Sequence, residues 1–396
     1  MRSLVVVLFL SAPAVAADWP HFLGPTRDNF TPVKVAPWKG DLKPLWKVPV
    51  GEAHSSPVVA DGVVYCFYKP TGLDMDALVA LDARTGKRKW GKAYERDAFS
   101  PPFGEGPRGT PCVAGGKVYT LGNTGVLACW EAETGAVKWK LDTLKELKAK
   151  NLVFGVSTSP VVVGKLVLLM VGGKGTGVIA VDAETGKVAW QATDDPSSYA
   201  TPIVVGDDLV TLTGSHLRAV GVADGKEKWA FPFKDDLNES STTPVKAGDL
   251  YIASSVTAGS VAVKVTAGKA EQVWADKKLA CYFSTPVLVG KHLYMINGSV
   301  RNPSIVLRCV EAATGTVLWE KPGIGKYHAA ILRTGDDKLL LMDDAGKLTL
   351  FQPDDKEFKV LATSRVCGET WAHPAVADGK LYIRDNTNLF CLRIGE

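Results

Sequence analysis

Short runs of alternating apolar and polar residues recur along the whole chain, each followed by a turn. In the clearest copy the run through Leu78 and Ala80 predicts a strand with one face buried. Asp82-Ala-Arg-Thr85-Gly86-Lys87 then supplies a tight turn, with glycine free to take positive φ and an acidic side chain placed to bond turn amides. The chain returns as a strand ending in Trp90, a large flat residue suited to covering a seam between neighbouring units. The same spacing recurs at Asp182, Gly186 and Trp190, and with glutamate at Glu131, Gly135, Trp139 and at Glu311, Gly315, Trp319. More worn copies end at Trp229 and Trp274.

A second marker precedes each copy. It is Ser/Thr-Pro before an apolar pair at Ser56, Thr110, Ser159, Thr201 and Thr285, before Val-Lys at Thr243, then Ala329-Ala330 and His373-Pro374. These eight anchors are spaced 54, 49, 42, 42, 42, 44 and 44 residues apart. Proline is tolerated at the first residue of a strand, and such a period is that of propeller blades. The expected fold is all-β: an eight-bladed β-propeller of four-stranded antiparallel blades. The segment Pro44-Leu-Trp46-Lys-Val has no strands before it, and the last blade, after Pro374, has no tryptophan strand. The Trp46 strand therefore closes the last blade and removes a free edge. Ala93 to Gly109 reads as an irregular loop, Asp142 to Lys150 as a short capped surface helix, and blade seven as the least regular, with Pro353-Asp-Asp355 in place of Thr-Gly.

Composition adds location and partners. Residues 1–17 read as a secretory signal peptide, with a basic start, a short apolar core and Ala14-Val15-Ala16. Residues 18–43 form an irregular arm and residues 44–396 the propeller. No later stretch is long and apolar enough to span a membrane, and no cysteine stands at the cleavage site for a lipid anchor. The expectation is a periplasmic or secreted monomer. Lys+Arg number 46 against 42 Asp+Glu, a net +4 without a basic block, which argues against nucleic acid. Of seven cysteines, Cys129, Cys309 and Cys391 share the small apolar slot held by Ala80 and Ala180, so they read as core thiols. Cys66 with Cys112 is left open as a pair.

These features together resemble the pyrroloquinoline-quinone (PQQ)-type propeller repeat family, whose Ala-x-Asp-x-x-Thr-Gly-x-x-x-Trp pattern the Asp82 and Asp182 copies meet in full. The resemblance covers roughly residues 44–394. The arm, Trp19-Pro-His-Phe-Leu23-Gly-Pro-Thr-Arg-Asp28, is similar to the start of exported members, with Leu23 where arginine is usual. By resemblance, the quinoprotein dehydrogenases hold PQQ at the channel mouth with a calcium ion, an aspartate base and two adjacent cysteines. No two cysteines are adjacent here, and there is no Cys-x-x-Cys-His for haem. The resemblance to the BamB-type lipoprotein of outer-membrane assembly implies instead a non-catalytic scaffold that docks a protein or cell-envelope ligand and needs no cofactor. The alternative is a PQQ- and Ca²⁺-dependent alcohol or sugar dehydrogenase. Binding of a surface polysaccharide is a third reading.

The residues just before each anchor lead into the innermost strands from one end of the channel. They include His54, Arg108, Phe154, Tyr199, Glu239, Tyr282, Tyr327, His328, Trp371 and His373. Aromatic, imidazole and charged groups converging on one mouth make a candidate ligand or partner site. Glu239 with Tyr282 or Trp371 is the set a quinoprotein reading would need. Gly172 to Gly177 lacks the Walker spacing and reads as a hairpin turn, and the six histidines show no metal-ligand spacing.

Overall fold

The computed structural model describes residues 18–299 and 302–395; the signal-peptide reading falls outside them. Asp82 Oδ1 accepts hydrogen bonds from Thr85 N at 2.8 Å and Thr85 Oγ1 at 2.6 Å, which closes the turn before the returning strand. Asp182 repeats both bonds to Thr185 at 2.8 Å. Such hairpins build eight four-stranded antiparallel sheets arranged as an eight-bladed propeller. The eighth consists of Ala375–Ala377, Lys380–Arg384, Asn388–Arg393 and, as its outer strand, Pro44–Pro49 from the other end of the chain. Trp46 pairs with Cys391 in that closing strand, as expected from the two incomplete ends.

The seams explain the repeat. Gly86 has φ +70°, and a Cβ there would lie 2.8 Å from the ring of Trp46, which rests on it from the preceding blade. Only glycine satisfies both demands. The Trp46 indole N–H donates to Ala83 O at 3.1 Å. Trp90, Trp139, Trp190 and Trp274 make the same bond to Ala132, Ala183, Val222 and Ala312, over Gly135, Gly186, Gly225 and Gly315. Blade seven keeps half of this: Trp319 donates to Asp354 O at 2.9 Å, in the segment that replaces Thr-Gly. Trp229 packs on Tyr251 instead, with ring centroids 4.8 Å apart.

Cys129, Cys309 and Cys391 lie opposite Trp139, Trp319 and Trp46 in their sheets, as Ala80 lies opposite Trp90, and are fully buried. All seven cysteines are free. Cys66 meets Arg384 at 3.6 Å and Cys112 lies against Arg27, so the pair left open does not form. The helix covers Thr143–Glu146 with Asp142 as its cap; it is shorter than read because Lys148 turns to φ +55°.

The arm fills the channel from the end away from the anchors. Trp19 exchanges both backbone hydrogen bonds with Val59 on the innermost strand of blade 1, each at 2.9 Å. Val113 N donates to Pro20 O, Arg27 Nη2 to Val162 O, and Arg333 N to Asn29 O, so the arm also meets blades 2, 3 and 7. Thr31 Oγ1 donates to Val376 O of blade 8. Innermost strands carry an unpaired edge on their channel side, and the arm supplies partners for it. Trp19 is buried, and so is Leu23, despite its left-handed φ of +64°. Such a conformation in a leucine is held by its surroundings rather than by preference.

Candidate functional site

At the anchor end the hydroxyls of Ser/Thr-Pro link one blade to the next. The amide of Ser56 donates to Thr110 Oγ1 at 3.1 Å, that of Thr110 to Ser159 Oγ at 3.0 Å, and that of Ser159 to Thr201 Oγ1 at 3.0 Å. Thr243 N donates to Thr285 Oγ1 at 3.0 Å, and His373 N to Ser56 Oγ at 2.9 Å, joining blade 8 to blade 1. The residue after each proline joins the ladder, as Val58 does opposite Tyr65, and the neighbouring anchor's hydroxyl accepts from the amide of the residue before the proline. This girdle fixes the residues immediately before it.

Carboxylates at the tips of the blades pin the loops that carry those residues. Asp344 accepts from Lys326 N at 3.0 Å and Tyr327 N at 2.6 Å. Asp235 Oδ1 accepts from Leu237 N at 3.0 Å and Glu239 N at 3.1 Å. Asp385 accepts from Gly368 N at 3.1 Å. Backbone donors of this kind stabilise the charged form of the acid: Asp235 and Asp385 stay below the usual carboxylate range, although burial pushes the other way.

The girdle and loops converge on a cavity of about 140 Å³. Every blade contributes: His54, Arg108, Phe154, Tyr199, Glu239, Tyr282, His328, Trp371 and His373 all line it. Tyr327 does not line it, but packs edge-on against Trp371 at 6.3 Å. Trp371 is the hub of the aromatic wall. His54, Phe103 and Phe283 surround it at centroid distances of 5.2, 5.4 and 5.4 Å. Phe103 continues to Phe154 at 6.1 Å and Phe154 to Tyr199 at 5.6 Å. Below, His328 and His373 lie 5.5 Å apart, and Phe22 of the arm meets His373 edge-on at 5.1 Å.

Few polar groups here are free to choose their state. Tyr282 donates its hydroxyl to Glu239 Oε2, and burial with that carboxylate pushes the phenol well up. The His54 Nε2–H donates to Phe103 O at 2.6 Å, leaving Nδ1 as a bare lone pair. Arg108 Nη2 donates to Pro102 O at 2.8 Å and Gly104 O at 3.2 Å. Burial lowers His54 to about 4, His328 and His373 to about 3, and Arg108 to about 10. The three imidazoles are neutral at pH 7 and Arg108 is charged. His54 Nδ1, Arg108 Nη1 and both ring nitrogens of His328 have no hydrogen-bond partner. Each such buried group costs about 1–3 kcal/mol while unpaired.

The neighbours His54, Ser55 and Ser56 do not form a nucleophile–base pair. Ser55 Oγ donates to Phe67 O at 2.8 Å, and Ser56 Oγ is engaged by the His373 amide. Gly172–Gly177 is the turn between Leu166–Met170 and Val178–Asp182, as read. Sequence reasoning overlooked Phe283, one residue beyond the window around Tyr282, and Phe103, in the loop read only as irregular. It also overlooked Phe22, which no local signal connects to the mouth.

The family model described as outer membrane protein assembly factor BamB matches residues 74–306. The BamB of Shewanella oneidensis is 24% identical over 297 residues, covering 70% of this chain and 71% of that protein. Quinohemoprotein alcohol dehydrogenase ADH-IIG of Pseudomonas putida is 30% identical over 239 residues, covering 51% of this chain but 32% of that protein. The chain therefore spans about a third of the enzyme's length. The crystal structure of BamB from Moraxella catarrhalis superposes with a TM-score of 0.66 at 14% identity, over 89% of this chain and 99% of that one. Quinohemoprotein alcohol dehydrogenase from Comamonas testosteroni superposes with a TM-score of 0.65 at 14% identity, over 96% and 81%. Both structural likenesses are likenesses of fold. The family model accounts for more than half of the chain, and the chain belongs to that family of PQQ-type repeat propellers.

Proposed function

We propose that the protein is an exported, non-catalytic binding scaffold that holds a protein or cell-envelope ligand at the channel mouth. The observation that carries this reading is the convergence of one or more side chains from every blade on a single aromatic cavity. Binding sites are concave, mostly apolar and furnished with a few placed polar groups. Exposed apolar side chains stand around it: Phe103, Val153 and Leu237 are 55%, 70% and 40% exposed on mouth-side loops. Scattered apolar residues are ordinary, but a gathered rim belongs to docking surfaces. Among the described residues no helix is long and apolar enough to cross a membrane.

The quinoprotein relatives motivate the second reading, an alcohol or sugar dehydrogenase using PQQ and Ca²⁺. Calcium takes six to eight oxygen ligands, usually several carboxylates. The mouth offers the single carboxylate of Glu239, already bonded by Tyr282. Among the described residues no three His, Cys, Asp or Glu side chains are grouped to hold a metal. The donor set does not fit the group. Calorimetric titration of the mature protein with PQQ and Ca²⁺, followed by a dye-linked oxidation screen, tests the choice. The scaffold reading expects neither heat nor turnover; tight binding with turnover lost in Glu239→Ala overturns it.

A further inference from the structure

We infer that the mouth cavity takes one ring of a neutral saccharide, presented by a cell-envelope glycan. The inference rests on the mouth being a binding site and adds the chemical class of what it binds. The unpartnered groups around the cavity are of both kinds. Arg108 Nη1 is a donor, His54 Nδ1 is an acceptor because Nε2 carries the proton, and neutral His328 brings one of each. A carboxylate or phosphate only accepts, so it leaves the His54 lone pair unmet. An ammonium group only donates, so it leaves Arg108 unmet. A hydroxyl does both, and a ligand with several hydroxyls on a compact ring answers all of these groups by small side-chain rotations.

The walls agree with that choice. Phe283, Trp371, Phe103 and Phe154 present apolar rings at mutual tilts of 29° to 41° around one small space. A flat aromatic ligand would need a parallel slot, whereas the puckered C–H faces of a sugar suit inclined rings. The cavity volume is about 140 Å³, and a single water needs about 10–15 Å³ by the same measure, so roughly ten water-sized sites are available. That is room for one ring and not for a length of chain. An extended peptide would also demand backbone partners at regular spacing. Here the innermost strand edges of blades 1, 2 and 7 are taken by the arm. Phe22 closes the floor beside His373, which makes the site end-on: a terminal or protruding sugar enters and the rest of the glycan stays outside, over the rim.

The test is an array carrying neutral oligosaccharides, acidic oligosaccharides and aromatic-containing peptides, probed with the full mature protein. Wild type, Trp371→Ala and Phe283→Leu are compared, and bound neutral glycans are competed with free glucose, mannose and N-acetylglucosamine. The expected result is binding to neutral glycans, displaced by a free monosaccharide and weakened at least tenfold in Trp371→Ala at an unchanged thermal midpoint. Should that variant lose its fold, Phe283→Leu is read in its place, with a loss of threefold or more. Neutral-glycan binding that both variants keep overturns the assignment to the mouth. Binding to acidic glycans alone overturns the donor–acceptor argument. Binding to peptides and no glycan, lost in Trp371→Ala, overturns the saccharide and leaves the mouth a docking site. Binding to nothing on the array overturns the saccharide.

Discussion

At the outer seams, Trp46, Trp90, Trp139, Trp190 and Trp274 repeat one contact, indole over glycine with the N–H on a turn carbonyl. At the mouth the same blades bring imidazole, guanidinium, phenyl, phenol and carboxylate in turn. The seam asks every blade for the same thing, because every blade must dock on its neighbour. The mouth asks each for something different, and no packing rule of the ring requires those identities. Stability therefore belongs to the positions where the copies agree, and the recognition proposed for the mouth would fall to those where they differ. The two sets should separate cleanly by mutation.

The largest effect is expected at the closing seam. Trp46→Ala removes the indole that locks blade 8 onto blade 1 and should cost about 3–5 kcal/mol in urea denaturation, the usual range for deleting a large buried aromatic. Ligand affinity at the mouth, measured where the variant is folded, should stay within twofold. A loss below about 1 kcal/mol would show that the ring is held elsewhere.

Acid comes next, and it acts on the mouth. His328 and His373 sit near 3 when folded against an ordinary 6.5, so the unfolded chain binds protons the folded chain refuses. Stability is complete above about pH 6.5 and should fall on acidification toward pH 3, by up to about 1.4 kcal/mol per pH unit for each histidine. Asp76, pushed up to about 6 by burial beside Arg96, works in the opposite direction from about pH 6 down to 4, so the net loss is less than the histidine sum. Replacing both histidines by glutamine should make the fall in thermal midpoint between pH 6 and 4 shallower without removing it, because His54 and His21 are lowered too; an unchanged slope would place the sensitivity outside these two residues.

The girdle lies between the two regions. Thr110→Val removes the acceptor for the buried Ser56 amide and should cost about 1–3 kcal/mol. Phe103→Ala, at a side chain 55% exposed, should change stability by less than about 0.5 kcal/mol while weakening whatever the mouth holds. The smallest effect is expected from reductant. All seven thiols are free and buried, and burial raises those of Cys281 and Cys367 to about 12. A thiol reagent should label none until unfolding, and dithiothreitol should leave the midpoint where it was; a shift would reveal a disulfide.

Repetition is why so much of the fold was legible. Thr-Gly before tryptophan recurs often enough that its mechanism can be read from one copy, and the closing of blade 8 followed from counting strands at the two ends. The same reasoning placed His54, Arg108, Glu239 and Trp371 at one mouth, because equivalent positions in a ring must face the same way. It stopped at Tyr327, which backs Trp371 without reaching the cavity, since one residue of offset turns a side chain away. It also stopped at Phe22 and Phe103. Neither lies in the repeat, so register arithmetic has nothing to say about them. The helix after Asp142 was overextended for a related reason: helix-forming residues continue to Lys150, but the backbone reverses at Lys148.

The arm gives this ring a property its blades do not. Because Trp19 is stitched to Val59 and Phe22 stands beneath His373, the mouth is a well with the arm as part of its floor. The floor is also the part of the molecule nearest the start of the described chain. A pull directed from that side would part the Trp19–Val59 bonds first and then draw Phe22 down, so that tension on the arm would be felt as a change in the depth of the well.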